Sequence, residues 1–162
     1  MIFVTTGTQK FQFNRLLKAI DTEIEHGHIK EEVFAQSGAS DYLPVHYRYQ
    51  DFLSMQQMAD VRKKADLIIT HGGTNSIIEG LRLGIPVIAV PRLAKYQEHV
   101  DDHQTEIIQE MSEEGLITGV ADLSNLNQAI LAARKKSPPI YKSNNKQLLQ
   151  YLEQICREVE NG

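Results

Sequence analysis

The sequence predicts an α/β fold: a Rossmann-like parallel sheet of about six strands with helices on both faces. Three observations predict it. Short apolar runs, among them residues 2–5, 66–70 and 87–90, have the length and composition of strands buried on both faces. Between these runs the apolar residues recur at three- and four-residue spacing, the mark of amphipathic helices. The two patterns alternate along the chain without an internal repeat, which implies right-handed crossovers between parallel strands.

In order, residues 2–5 are the first strand, ending at Thr6-Gly7-Thr8. Phe13, Leu16, Leu17, Ile20 and Ile24 then form a helical stripe that stops at His26-Gly27-His28. Residues 32–36 and 45–49 are the next two strands. Asp51 is placed as the N-cap of a helix carrying Phe52, Met55, Met58 and Val61. That helix closes at Lys63-Lys64, where positive charge suits the C-terminal dipole. Residues 66–70 are the fourth strand. After His71-Gly72-Gly73 a helix begins at Thr74, Asn75 and Ser76, and Gly84-Ile85-Pro86 breaks it. Residues 87–90 are the fifth strand, 100–114 a helix closed by Gly115, and 116–120 the sixth strand. A helix from Asp122 reaches about Lys135. The expected domain is residues 1–136. Residues 137–162 are read as a Pro-Pro linker and a C-terminal helix whose stripe is Leu148, Leu149, Leu152, Ile155, Cys156 and Val159. Such a helix either packs on its own sheet or docks a partner.

Composition narrows the function. The chain has 162 residues, enough for one ordinary core. Seventeen Lys and Arg against 21 Asp and Glu give a net charge of −4, which argues against binding along nucleic-acid backbones. One cysteine, Cys156, supports neither an internal disulfide nor a multi-thiolate metal site, which fits a reducing compartment. The opening MIFVTTGT goes straight into a strand-like run with no basic leader, so a cytoplasmic location is expected.

Ligands of open parallel sheets bind at the carboxyl ends of the strands, where strand order reverses. Three loops qualify: Thr6-Gly7-Thr8, His71-Gly72-Gly73 and Pro91-Arg92. Gly7 stands alone without the further glycines of a dinucleotide fingerprint, and no Walker A lysine follows, so NAD and ATP sites are poorly supported. The second loop is more specific. A strand feeding two glycines and a helix start is an anion site, because free N–H groups and the helix dipole both face the turn. His71, Asn75 and Ser76 add side-chain donors there, although either of the latter two also reads as an ordinary cap. Glu79, one turn on, is placed to accept ribose hydroxyls, with a solvated surface charge as its alternative. Arg92 suits an oxyanion. Glu98, His99, Asp102 and His103 have metal-ligand chemistry, but their spacing mixes helix faces and no second cluster completes a site; no metal or cofactor is expected.

The run HGGTNSIIEGLRLGIPVIAVP, followed by DDHQ, resembles the donor-binding signature of UDP-sugar glycosyltransferases of the GT-B fold. The plant box has the same order: His, a small residue, Gly, Asn-Ser, Glu, Gly-x-Pro, Pro and a terminal acid-Gln pair. Here His103 intervenes between Asp102 and Gln104. The chain's length and MIFVTTGT start resemble the short cytosolic subunit of the two-subunit, dolichol-linked UDP-GlcNAc transferases and their bacterial exopolysaccharide and capsule counterparts. The resemblance covers residue 1 to about residue 120 and is identified as the family 28 C-terminal domain, the C-terminal half of a GT-B fold. It implies that Gly7 and Thr8 border the diphosphate. His71, Gly72, Gly73, Thr74, Asn75 and Ser76 would hold the phosphates, with Glu79 on the ribose, Arg92 on a phosphate, and His103 and Gln104 near the sugar.

A donor half alone lacks the acceptor face, so the resemblance implies a membrane-anchored partner subunit and a polyprenyl-diphosphate-linked saccharide acceptor. The expected chemistry is direct displacement with inversion at the anomeric carbon, UDP leaving. The base is His99, His103 or a partner residue, the partner being favoured. A UDP-sugar sensor without chemistry and a UDP-sugar epimerase share the signature and stay open.

Overall fold

The computed structural model describes residues 1–136, together with Gln150, Gln154 and Arg157. The linker and final helix expected over residues 137–162 lie outside the described residues apart from those three positions. Six strands form one sheet: β1 (Ile2–Thr5), β2 (Val33–Gln36), β3 (Arg48–Gln50), β4 (Leu67–Thr70), β5 (Val87–Ala89) and β6 (Thr118–Gly119). Every pairing is parallel and the order is β3-β2-β1-β4-β5-β6. The chain starts at the centre, winds outward through β2 and β3, then returns to β4 and winds the other way. The reversal between β1 and β4 is the topological switch point.

Alternation along the strands sorts the core into two layers. Ile2, Val4, Ala35, Leu67, Ile69 and Ile88 face one side. They pack on α1 (Asn14–Glu25) through Leu16, Leu17 and Ile20, and on α5 (Leu126–Lys135) through Leu126, Ala129 and Ile130. Phe3, Ile68, Val87 and Ala89 face the other side. They meet α3 (Thr74–Arg82) through Ile77 and Leu81 and α4 (His103–Glu113) through Ile108 and Met111, with Met58 and Val61 of α2 (Met55–Lys64) partly buried beside them. Each buried Ile or Leu contributes about 1.5–3 kcal/mol of transfer free energy. The expected doubly wound α/β fold is the one observed.

The element boundaries differ from expectation where distant side chains intervene. Pairing of β3 begins at Arg48, not at residue 45. The Val45 and His46 N–H groups donate instead to the Asp21 carboxylate of α1, at 2.8 and 2.9 Å, and the Tyr42 hydroxyl joins them at 2.7 Å. The N-cap of α2 is Ser54, not Asp51: Ser54 Oγ accepts from Gln57 N at 3.1 Å while Gln57 Oε1 accepts from Ser54 N at 2.9 Å. Asp51 accepts from the Ser37 hydroxyl at 3.0 Å and so ties the loops after β2 and β3 together. The fourth helix starts at His103 rather than at residue 100, after a short 3₁₀ turn, Ala94–Tyr96, and a loop wrapped around Glu98. Only Thr118 and Gly119 of the expected sixth strand pair, because β5 offers them just Ile88 and Ala89. Asp122 accepts from Ser124 N at 2.9 Å and opens a 3₁₀ turn, Leu123–Asn125, ahead of α5.

The register brings Gln50, Gln36, Thr5, Thr70, Ala89 and Gly119 into one row at the carboxyl edge of the sheet. The loops that leave this row build the site.

Candidate functional site

A cleft of about 610 Å³ opens over the switch point. Its floor is Thr5, Gln36 and His71. The loop after β1 supplies Gly7, Thr8 and Gln9, and the start of α3 supplies Gly73, Thr74, Asn75 and Ser76. Gln104 of α4 closes one end. Leu53, Ser54, Met55, Met58 and Arg62, leading into and along α2, close the other.

The glycines are there because His71 is. Gly7 has φ +81°, and a Cβ on it would lie 2.7 Å from the His71 ring; one on Gly73 would lie 2.5 Å from His71 Nε2. The imidazole therefore fits between two backbones that carry no side chain. Gly72, at φ +90°, turns its backbone against the Ile108 side chain, which leaves no room for a Cβ. His71 is 9% exposed, and its Nδ1 lies 3.3 Å from Thr70 Oγ1 and 3.4 Å from the Thr5 carbonyl. Burial, with the nearby Arg92 charge adding to it, pushes its pKa down to about 4. The ring is neutral at pH 7.

Gly73 is the N-cap of α3, and no side chain caps the helix. The alternative in which Asn75 or Ser76 is an ordinary cap is therefore excluded. The first N–H groups of α3 and the side chains of Thr74, Asn75 and Ser76 are left facing the cleft. Glu79 follows Asn75 by four residues and Ser76 by three, so it continues their face of the helix. Its carboxylate is 39% exposed and pairs with Arg82 at 3.0 Å.

Arg92 does not line the cleft. It is 1% exposed, with Nη2 donating to the Thr6 carbonyl and the guanidinium 5.6 Å from the Phe13 ring centre. Its Nε and Nη1 are buried without a partner. Burial brings its pKa down to about 10, opposed by the Glu98 charge. Arg92 thus supports the Thr6–Gly7 peptide from behind. His99 and His103 also stay off the cleft lining. His99 stacks at 5.3 Å on Phe11 and lies 3.4 Å from Asp101, while His103 is exposed at the head of α4. Glu98, His99 and Asp102 each have separate partners: Glu98 chelates Arg15 at 3.0 Å through both oxygens, and Asp102 accepts from Ala94 N at 2.8 Å.

Gln104 does reach the cleft, and its Oε1 is buried with no hydrogen-bond partner among the described residues. Eight lining residues were not anticipated as site residues: Thr5, Gln9, Gln36, Leu53, Ser54, Met55, Met58 and Arg62. The Ser54-x-x-Gln57 capping box was readable and would have placed the head of α2 at the cleft. The Met55, Met58, Arg62 spacing reads on its own as core packing.

The family model for the glycosyltransferase family 28 C-terminal domain matches residues 1–158. The chain is 31% identical over 133 residues, 70% of its length and 10% of the relative's, to the UDP-N-acetylglucosamine transferase subunit ALG13 of Homo sapiens. It is 34% identical over 80 residues, 49% of its length and 20% of the relative's, to the UDP-N-acetylglucosamine--N-acetylmuramyl-(pentapeptide) pyrophosphoryl-undecaprenol N-acetylglucosamine transferase of Leuconostoc citreum. Across five curated relatives it spans between 9% and 20% of their lengths. The NMR solution structure of ALG13 superposes with a TM-score of 0.61 at 21% identity, over 93% of this chain and 94% of that one, which shows a shared fold. With a family match running nearly end to end over a sheet whose switch-point cleft carries the signature residues, the chain belongs to the glycosyltransferase family 28 C-terminal domain family.

Proposed function

We propose that this chain is the donor-binding catalytic subunit of a two-component inverting glycosyltransferase. It would move a hexose from a UDP-sugar to a polyprenyl-diphosphate-linked saccharide in exopolysaccharide or capsule synthesis. The observation that carries the reading is the buried, unpartnered Oε1 of Gln104 in the same cleft as the uncapped N-terminus of α3. An orphaned buried acceptor costs about 1–3 kcal/mol, and a sugar hydroxyl would satisfy it. The helix terminus supplies what a diphosphate needs.

The remaining parts fit a nucleotide. The Thr5 carbonyl beside Nδ1 can only accept, so the neutral His71 carries its proton on Nδ1 and holds Nε2 between Gly7 and Gly73. The α3 amides oppose the charge that grows on UDP as it leaves, with no reorganisation during the step. Leu53, Met55 and Met58 form an apolar wall at the other end, suited to a flat base. The acceptor's general base would come from the partner, because His99 and His103 do not line the cleft.

Among the described residues no helix is long and apolar enough to cross a membrane. In this reading the chain sits at the cytoplasmic face of a membrane through an anchored partner. The human relative is named a transferase subunit and the Leuconostoc relative a transferase acting on an undecaprenol carrier, which supports both the partner and the class of acceptor. The test is to co-express the chain with a candidate membrane-anchored partner, sought among the proteins encoded beside it, and to assay a panel of UDP-sugars on a polyprenyl-diphosphate saccharide. Transfer that requires both chains is expected. Epimerised donor without acceptor, or UDP binding with no transfer from any donor, would overturn the reading.

A further inference from the structure

Three cations end α2, and they are not equivalent. Lys63 and Lys64 are exposed at the C-terminal end of the helix. Arg62 is half-buried and lines the cleft, on the same stripe as Met58 and Met55 one and two turns before it. Among the described residues no hydrogen bond or ion pair holds its guanidinium. Burial lowers its pKa and the Glu79 carboxylate pulls the other way, so the two groups lie within each other's field. Glu79 stands on α3 one turn past Asn75 and Ser76, outside the cleft lining. A planar set of donors on α2 therefore lines the cleft within the field of a carboxylate on α3 that stands one turn beyond Asn75 and Ser76.

We propose that Arg62 is a specificity-determining residue that reads the ribose of the donor nucleotide, donating an N–H to the 2′-hydroxyl oxygen while Glu79 accepts the hydroxyl protons. The inference rests on the donor-site reading given above. A hydroxyl needs both a donor and an acceptor to be satisfied, and these two side chains supply one of each. A cation that serves only the helix dipole has no reason to leave water, as Lys63 and Lys64 show; a desolvated guanidinium is offset when a ligand oxygen meets it. A site that hydrogen-bonds a hydroxyl rejects the analogue that lacks it, because its own polar groups are then left unpaired. The fixed fork of arginine sets the direction of the bond, which the flexible ammonium of lysine does not.

The test is calorimetry of UDP and 2′-deoxy-UDP with the full chain, with Arg62→Met and with Arg62→Lys, each checked for fold by circular dichroism. The wild-type chain is expected to prefer UDP by about tenfold or more. Arg62→Met should narrow that ratio to about threefold by losing UDP affinity alone, and Arg62→Lys should lie between. Equal weakening of both nucleotides by Arg62→Met would assign the residue to the phosphates or to structure and overturn the proposal. So would an unchanged ratio in both variants. Failure of the wild-type chain to bind either nucleotide would instead overturn the donor-site reading on which the proposal rests.

Discussion

A Cβ on Gly73 would stand 2.5 Å from Nε2 of His71. The backbone at Gly73, φ −63° and ψ 130°, is one that any residue adopts, so the glycine is needed for the imidazole and not for the turn. Gly73→Ala should push His71 aside at a cost of about 1–3 kcal/mol, the usual price of overpacking. UDP affinity should fall by about tenfold, roughly 1.4 kcal/mol. The double variant His71→Ala/Gly73→Ala removes the clash, so its stability in urea should exceed the sum of the two single effects. Strict additivity would show that the two residues do not crowd each other.

The buried imidazole also makes stability depend on pH. Its folded pKa of about 4 lies below the ordinary 6.5, because burial disfavours the charged ring. The unfolded chain therefore takes up this proton first on acidification. The contribution is complete above pH 6.5 and is lost as the pH falls toward 4, to a total of about 3 kcal/mol. Urea titrations of the wild-type chain and His71→Gln at pH 7, 5 and 4 should show the wild type losing more stability across that window. Parallel curves would mean that His71 is not buried neutral.

Arg15 and Glu98 hold the loop after β5 to the helix after β1. Glu98 is 1% exposed and takes two 3.0 Å contacts from the Arg15 guanidinium, which also donates to the Pro91 carbonyl at 3.2 Å. Gln12 adds a donor to the Tyr96 carbonyl at 2.9 Å. Arg15→Met leaves the Glu98 carboxylate buried with only the Leu93 N–H, and should cost about 3–5 kcal/mol. Arg15→Met/Glu98→Leu should regain only part of that loss, since it relieves the stranded carboxylate but removes the charge that offsets the buried Arg92 guanidinium. Urea unfolding of the two variants measures both terms.

This pair also marks where the sequence stopped being legible. The apolar runs, the helical stripes and the glycine turns are local patterns, and each strand and helix they implied over residues 1–136 is present. The 3₁₀ turn and the loop before α4 exist because Glu98 is drawn inward by a residue 83 positions earlier. The late start of β3 likewise depends on Asp21 in α1. At the site, His71 and the α3 turn were readable because turn chemistry and helix termini are local. Arg92 was not: an arginine after a buried strand suggests an anion ligand, and nothing nearby in the chain reveals that it faces the Thr6 carbonyl. Arg62 was hidden by an apolar stripe whose last member is a cation.

Asp21 gives a simpler prediction. Its carboxylate is 5% exposed and accepts from the Tyr42 hydroxyl and from two backbone N–H groups. The hydrogen bond to it pushes the Tyr42 pKa up to about 12, so the phenol stays protonated as a donor. Asp21→Ala removes three hydrogen bonds to a charged group and should cost about 3 kcal/mol, since each such bond is worth about 1.5–3 kcal/mol and water can reach the exposed Val45 and His46. Tyr42→Phe removes one donor and should cost about 1 kcal/mol. Thermal unfolding of both variants orders them, and equal losses would show that the backbone donors find water when Asp21 is gone.

Gln104 separates stability from function. Its Oε1 is buried without a partner, so the chain without donor carries the cost of an unmet acceptor. Gln104→Met keeps the length and flexibility of the side chain while removing that acceptor. The variant should therefore be more stable than the wild type by about 1 kcal/mol without ligand, a rise of a few degrees in Tm. UDP itself should bind both chains alike, because the proposed pose puts the diphosphate and ribose in other parts of the cleft. A UDP-hexose should lose about 1 kcal/mol of affinity to the variant, since a sugar hydroxyl no longer finds its acceptor. Thermal shift without ligand and calorimetry with UDP and the UDP-hexose test the two halves separately. A destabilised variant, or one that loses UDP and the UDP-hexose equally, would place Gln104 in the scaffold and leave the sugar to be read elsewhere in the cleft.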